Sequence, residues 1–294
     1  MVINLAFEKI DMDYQSIKVN PLTGALGAEI AGVDLSKKLT NQQQEEVHRA
    51  FLDFQVIYFR DQTLNAEQQV SMARLFGNPI TYPYLSGVDG VPEAHEIVKT
   101  PDDEVNFGGV WHSDTSYKPK PDMGTVLFAV EVPEAGGDTL FANTYLAYNA
   151  LSNGMKAVVE DLIGINDSEK LYPGGRANRI SKLSKMKDSY TDGSQPMQSE
   201  HPIVRTHPET GQKGLYVSEA HTLSFKDMTV EESKPLIAFL GEHISRPEFT
   251  CRLRWQKNTL AVWDNRCTQH FAVNDYRNSY RHMRRVTLQG EVPV

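Results

Sequence analysis

GTVLFAVEVPEAGGDTLFAN, residues 124–143, sets two short apolar runs on either side of a Pro-Glu-Ala-Gly-Gly break. Runs of this length bounded by Gly and Pro read as strands joined by turns. The same punctuation recurs outward from it: EIVK (96–99) before, then PIVRTH (202–207), GLYVS (214–218), TLAVWD (259–264), QHFAV (269–273) and RRVTLQGEV (284–292) after. Many short strands separated by Gly, Pro, Asp and Asn indicate an antiparallel sandwich or barrel. The fold class expected is therefore mainly β with flanking helices.

The helices are read from 3.6-residue periodicity and caps. LTNQQQEEVHRAFLDF (39–54) offers Thr40 as N-cap and places Val47, Ala50, Phe51 and Phe54 on one face. VIYFR (56–60) follows as a strand, and LNAEQQVSMARLFG (64–77) as a second helix stopped by Gly77 and Pro79. TYLAYNALSNGMKAVVEDL (144–162) and TVEESKPLIAFLGEHIS (229–245) read as further helices, and IKVNPLTGALGAEIAGVDL (17–35) as a first small sheet. The Lys-, Ser- and Gly-rich stretch at about 168–200, with Lys182, Lys185 and Lys187, reads as a mobile surface excursion or lid.

With 294 residues, 40% hydrophobic and 23% charged, the chain reads as a single domain, 1–294, able to bury a large core. Thirty-eight acidic against 30 basic residues give a formal charge of −8, which argues against a nucleic-acid partner. Two cysteines, Cys251 and Cys267, are too few for a disulfide framework and fit a reducing compartment. MVINLAFEKIDMDYQ at the start lacks the pattern of a secretory signal, and no apolar run reaches the roughly 20 residues that span a bilayer. A cytoplasmic protein without a membrane partner is expected.

VWHSDTSY (110–117) carries the sharpest chemical signal, because His112 and Asp114 are separated by one residue. On an extended strand, residues i and i+2 point to the same face, so an imidazole and a carboxylate can converge on one ion. Two histidines and a carboxylate with open positions are the donor set of non-haem iron(II) oxygenases. His270, in WDNRCTQHFAV, is the candidate third ligand. The plainer readings are a hydrogen-bonded His-Asp pair and a structural histidine beside a turn. In YRHMRRVTLQG (280–290), Arg281, Met283 and Arg285 share one strand face, and His282 and Arg284 the other. Two guanidinium groups facing a metal require balancing anions, which carboxylates or sulfonates would supply through bidentate contacts. A charged outer edge strand is the alternative.

The chain also resembles a known family. GAEIAGVDLSKKL (27–39), FRDQ (59–62), WHSD (111–114), GGDTLFAN (136–143), VRTHPETG (204–211), LYVSE (215–219), PEFTCRLRWQ (247–256) and AVWDNRCTQH (261–270) are similar, in order, to the taurine dioxygenase family of iron(II)/2-oxoglutarate oxygenases, which includes phenoxyacetate dioxygenases and alkylsulfatases. The resemblance implies a double-stranded β-helix, or jelly roll. It implies iron(II) held by His112, Asp114 and His270, with no catalytic side chain beyond these ligands. It implies 2-oxoglutarate and O2 as co-substrates, the far carboxylate of the former bound by Thr139 and Arg281. Arg285 would meet the acidic group of a small anionic substrate. The reaction implied is hydroxylation coupled to conversion of 2-oxoglutarate to succinate and carbon dioxide, with C–S or C–O cleavage where the product collapses. Family members also suggest a homo-oligomer, a dimer or tetramer.

Taurine dioxygenases use a histidine and a tyrosine after the second helix, and an asparagine before the metal motif. Tyr82, Leu85 and Gly108 stand there in this chain. The substitutions imply a less polar, roomier approach and an acid other than taurine. His221 falls where the family places an aromatic substrate contact, and a buried structural histidine is its other reading. Two further classes stay open on the residues alone: a non-catalytic jelly roll that binds or senses a small acid, and a zinc hydrolase.

Overall fold

The computed structural model describes residues 13–82, 85–88, 90–103, 108–171 and 196–294. Its first strands, β1 (Lys18–Pro21) and β2 (Ala28–Ala31), pair antiparallel. They do not form the separate small sheet expected, because β2 also pairs in parallel with β3 (Val56–Phe59) and so becomes part of the largest sheet. Between them, Thr40 caps α1 (Asn41–Phe54) through a reciprocal capping box with Gln43. Val47, Ala50, Phe51 and Phe54 are all buried, and Gln55 ends the helix in a left-handed conformation with φ 59°.

The second helix, α2 (Ala66–Ala73), is capped by Asn65 with Gln68. It stops before Gly77: the amides of Leu75 and Phe76 bond to the carbonyls of Met72 and Ala73, the tighter i→i−3 pattern of a frayed last turn. The chain continues through β4 (Pro79–Ile80), β5 (Ala94–Lys99), β6 (Gly124–Glu131) and β7 (Thr139–Asn143). The segment expected as one helix after β7 is two, α3 (Thr144–Asn149) and α4 (Asn153–Val159). The Ser152 hydroxyl accepts the Met155 amide and caps the second, so the break is a built N-terminus.

Then follow β8 (Ile163–Asp167), β9 (Gln198–Pro202), β10 (Val204–Thr206), β11 (Lys213–Leu215), β12 (Thr222–Phe225), α5 (Val230–Ile244), β13 (Thr250–Leu253), β14 (Leu260–Asp264), β15 (Thr268–Ala272) and β16 (Arg281–Leu288). Most of the excursion predicted at 168–200, including Lys182, Lys185 and Lys187, lies outside the described residues; its far end forms β9.

Two sheets carry the site. The larger has the order β1-β2-β3-β14-β6-β16-β4, with β5 also on β16; the smaller has the order β13-β7-β15. Leu127, Ala129, Phe141, Leu253, Trp255, Ala261, Trp263 and Met283 form one apolar layer with members from both. The other face of the larger sheet, with Val126, Phe128, Leu260, Val262, Val286 and Leu288, packs with Val47, Phe51 and Val70 of α1 and α2. Because β6 and β14 are buried on both faces, their sequences run apolar without alternation. Each such buried side chain contributes about 1.5–3 kcal/mol. The architecture is the jelly roll with flanking helices. Among the described residues, no helix is long and apolar enough to cross a membrane.

Candidate active site

His112 and His270 lie opposite each other in an isolated antiparallel bridge. The His112 amide donates to the His270 carbonyl at 3.1 Å, and the His270 amide to the His112 carbonyl at 2.8 Å. Directly opposed residues share a face, and the ring centroids are 4.2 Å apart. The Ser113 hydroxyl extends this pairing by donating to the Thr268 carbonyl at 2.7 Å. Asp114 does not continue an extended strand, as the sequence pattern suggested. The chain turns there, with Thr115 at φ +50°, and the turn brings the carboxylate back beneath the two rings.

Oδ1 of Asp114 lies 3.8 Å from Nε2 of both His112 and His270. The three donor atoms are mutually within 4.8 Å, leaving room between them for one small cation. Their chemistry fits one. Nδ1 of His112 donates to the Val110 carbonyl at 2.7 Å, which leaves the Nε2 lone pair directed inward. Oδ2 of Asp114 is already engaged, accepting from the Thr125 hydroxyl at 3.0 Å and Asn265 Nδ2 at 3.3 Å, and paired with Arg285 Nη2 at 3.0 Å. Only Oδ1 remains to ligate. Burial alone would raise the Asp114 pKa, but Arg285, then His270 and His112, outweigh it and hold the carboxyl far below the usual range. Burial, reinforced by His112 and Arg285, pushes His270 down to about 3 against the pull of Asp114. At neutral pH His270 is therefore a neutral imidazole and Asp114 a carboxylate, the protonation states that bind metal.

A second group of buried potential ligands, His207, Asp264 and Cys267, has a cysteine in place of the second histidine and lacks the availability of the first. Arg266 donates to both Asp264 oxygens, at 2.9 and 2.7 Å, and His207 Nε2 donates to Oδ2 at 3.0 Å. His207 Nδ1 accepts the amides of Glu209 and Thr210. Burial, then Asp264, raises the Cys267 thiol well above its ordinary pKa. With every donor committed or protonated, this cluster clamps the turn before β15 and is not a metal site.

Thr139 and Arg281 lie further along the same interior. Thr139 opposes Ala272, two residues beyond the Phe141–His270 pair, and its hydroxyl oxygen accepts the Trp255 indole N–H at 2.9 Å. Arg281 is 8% exposed, and its Nε has no partner among the described residues. Gly137, at φ +71°, has little room for a side chain: a Cβ would stand 3.2 Å from the Tyr276 ring and 3.4 Å from Arg281 Nε. The alternation expected for β16 holds. Arg284 faces α2 and donates to Gln69 Oε1 and the Leu64 carbonyl, whereas Met283 lies between the sheets and Arg285 reaches Asp114.

Arg285 also donates to Thr125 Oγ1 at 3.1 Å and lies 5.5 Å from the centroid of the Tyr82 ring. Tyr82 is fixed through its amide, which donates to His95 Nε2 at 2.6 Å; His95 opposes Arg285 across β5 and β16. Burial lowers His95 to a pKa of about 4, so it is a neutral acceptor. Leu85 is buried on the same segment. Gly108, at φ +78°, bonds through its carbonyl to the Ala272 amide, and a Cβ there would meet His112 Cε1 at 3.2 Å. A side chain there would press on the His112 ring. His221 is buried, with its ring edge-on to His112 at 5.9 Å and Nδ1 3.0 Å from the Ser116 hydroxyl. Thr125, Asn265, Trp255 and His95 escaped the sequence reading because each acts through a partner distant in sequence.

Residues 18–287 match the family model described as taurine catabolism dioxygenase TauD, TfdA family. The chain is 36% identical to an alkylsulfatase of Acinetobacter baylyi over 283 residues, 95% of this chain and 86% of that protein. It is 35% identical to an alpha-ketoglutarate-dependent sulfate ester dioxygenase of Pseudomonas putida, covering 95% of this chain and 91% of that one. Among solved structures, a taurine dioxygenase from Burkholderia xenovorans superposes with a TM-score of 0.79 at 36% identity, covering 95% and 93% of the two chains.

Proposed function

Starting from the premise that this chain belongs to the taurine catabolism dioxygenase TauD, TfdA family, we propose that it is an iron(II)- and 2-oxoglutarate-dependent dioxygenase that hydroxylates a small anionic organic molecule. The observation that carries this reading is the convergence of His112 Nε2, His270 Nε2 and Asp114 Oδ1, with Asp114 Oδ2 turned away to Thr125, Asn265 and Arg285. These three residues would hold iron(II). When bound, it supplies the oxygen chemistry that couples oxidation of 2-oxoglutarate to succinate and carbon dioxide with hydroxylation of a substrate C–H bond.

The rest of the task falls to positioning. Thr139 and Arg281 orient the far carboxylate of 2-oxoglutarate. The Thr139 oxygen is held by Trp255, which leaves its hydrogen to donate. Arg285 keeps Asp114 ionised and directs its outer N–H groups toward the substrate acid, a sulfonate, carboxylate or sulfate ester. Tyr82, Leu85, Gly108 and His221 shape the space around the substrate carbon. Where that carbon bears a sulfate or sulfonate, the hydroxylated product collapses to an aldehyde and a leaving anion. The chain is a single domain, and the assembly is a homo-oligomer.

The test is succinate production across a panel of alkyl sulfates, sulfonates and aryloxy acids. It is expected only with iron(II), 2-oxoglutarate and oxygen together, and is expected to disappear in His112→Ala. Acid binding that survives His112→Ala, without decarboxylation by the wild type on any panel member, would instead support a binding or sensing protein.

A further inference from the structure

Lys99 and Arg281 are direct cross-strand partners in the β5–β16 register, so both project from one face. Their side chains are buried, with 7% and 8% of each residue exposed. Like charges placed opposite each other in a sheet are destabilising, and burial increases the cost unless an anion balances them. Asp103 and Asp138 act on the two cations from a distance, but no direct ion pair to Lys99 or Arg281 is made among the described residues. Asp138, the acid nearest in influence to Arg281, is paired with Arg252 at 2.6 Å, and Asp103 accepts the amide and hydroxyl of Thr100 at 2.8 and 2.9 Å. Neither acid forms an ion pair with Lys99 or Arg281. Arg285, four residues along the same strand, has its carboxylate in Asp114.

The two cations are also held in place. Lys99 Nζ donates to Asn274 Oδ1 at 3.0 Å and sits 4.1 Å from the Tyr276 ring centroid; the Arg281 guanidinium carbon lies 5.9 Å from the same centroid. One amide oxygen uses one of three ammonium donors, leaving two, and Arg281 Nε has no partner among the described residues. Burial lowers the Lys99 pKa, and Arg281 and Arg277 lower it further, with Asp103 opposing. The fold thus keeps two positive charges together where Thr139 and the Gly136-Gly137 turn close the interior.

We propose that Lys99 is a specificity-determining residue for the co-substrate: it joins Arg281 in binding the far carboxylate and selects a 2-oxo dicarboxylate over a 2-oxo monocarboxylate. This rests on the assignment of Arg281 and Thr139 to that carboxylate. A lysine that merely held Asn274 and Tyr276 in place would affect both kinds of ligand alike.

The experiment is calorimetric binding to protein loaded with Mn(II), using 2-oxoglutarate and 2-oxopentanoate, which has the same chain length but no far carboxylate. Lys99→Met is expected to weaken 2-oxoglutarate about tenfold or more and to leave 2-oxopentanoate within about twofold, as loss of a charge-assisted contact requires. Lys99→Arg is expected to recover most of the loss, and Lys99→Gln to replace Lys99→Met should that variant fold poorly. Unchanged 2-oxoglutarate binding in the neutral variants, or equal weakening of both acids, overturns the role of Lys99 alone. Failure of the Mn(II)-loaded wild type to bind 2-oxoglutarate overturns the dioxygenase assignment and this inference with it.

Discussion

Replacing Arg285 with Met tests how the triad is held before metal arrives. The side chain keeps its apolar length and loses the guanidinium, leaving Asp114 buried without the cation 3.0 Å from its Oδ2. At an effective dielectric of about 20 the direct attraction at that distance is about 5 kcal/mol. Part of this is returned because arginine no longer has to be desolvated, and breaking one half of a buried pair costs about 3–5 kcal/mol. At about 2 °C per kcal/mol for a chain of this size, the metal-free variant should melt about 6–10 °C below the wild type. Mn(II) supplies a new counter-charge to Asp114, so saturating Mn(II) should remove a large part of that deficit. Differential scanning calorimetry with EDTA and with Mn(II) measures both. Metal-free melting within about 1 °C of the wild type, or a deficit that Mn(II) leaves untouched, would show that Arg285 does not brace the carboxylate.

Three further outcomes follow from the same geometry. His95 is neutral when folded, with its pKa lowered to about 4, whereas the unfolded chain's histidine protonates near 6.5. Proton uptake by the unfolded state alone therefore makes stability fall as pH drops from about 6.5 to about 4, by about 2 kcal/mol at pH 5; His95→Gln, which keeps an acceptor for the Tyr82 amide, should remove that component from urea midpoints compared at pH 7.5 and 5. Gly137→Ala places a Cβ 3.2 Å from Tyr276 at a backbone φ of +71°. It should cost about 1–2 kcal/mol of stability and raise the KM for 2-oxoglutarate more than it lowers kcat, and an unchanged KM would count against the turn's role. Trp255→Phe removes the N–H that fixes Thr139 and should weaken 2-oxoglutarate binding by roughly fivefold, an effect that calorimetry with Mn(II) would detect.

Local signals were legible where the physics is local. Thr40 and Asn65 cap helices as their side-chain chemistry dictates, and Val47, Ala50, Phe51 and Phe54 keep the buried face that their spacing announced. Ser152 was an equally good cap, but the apolar residues on either side masked it, so two helices read as one. The parallel pairing of β2 with β3 leaves no mark in either segment, because it depends on where α1 returns the chain. At the site, His-x-Asp pointed to convergence through strand alternation, whereas Asp114 reaches Oδ1 contact distance through a turn at Thr115. His112 and His270 are joined by backbone pairing between distant segments, which no periodicity reveals. Only the ordered family motifs tied them together in the sequence. Lys99 read as the end of a strand, since its significance comes from the register that sets it against Arg281.

Asp114 explains why the centre forms at this end of the jelly roll. Its Oδ1 faces His270 of the smaller sheet and His112, which is zipped to that sheet. Its Oδ2 is held by Thr125 and Arg285 of the larger sheet and by Asn265 in the turn that joins β14 to β15. One carboxylate thus spans the two layers, and the distance it must bridge is set by the apolar layer of Phe141, Trp263 and Met283 between them. Interiors packed at crystal density change that spacing only at considerable cost. The ligand geometry is therefore fixed by the packing of the sheets before any ion binds. A rigid donor set is what positioning an oxidant beside a chosen C–H bond requires.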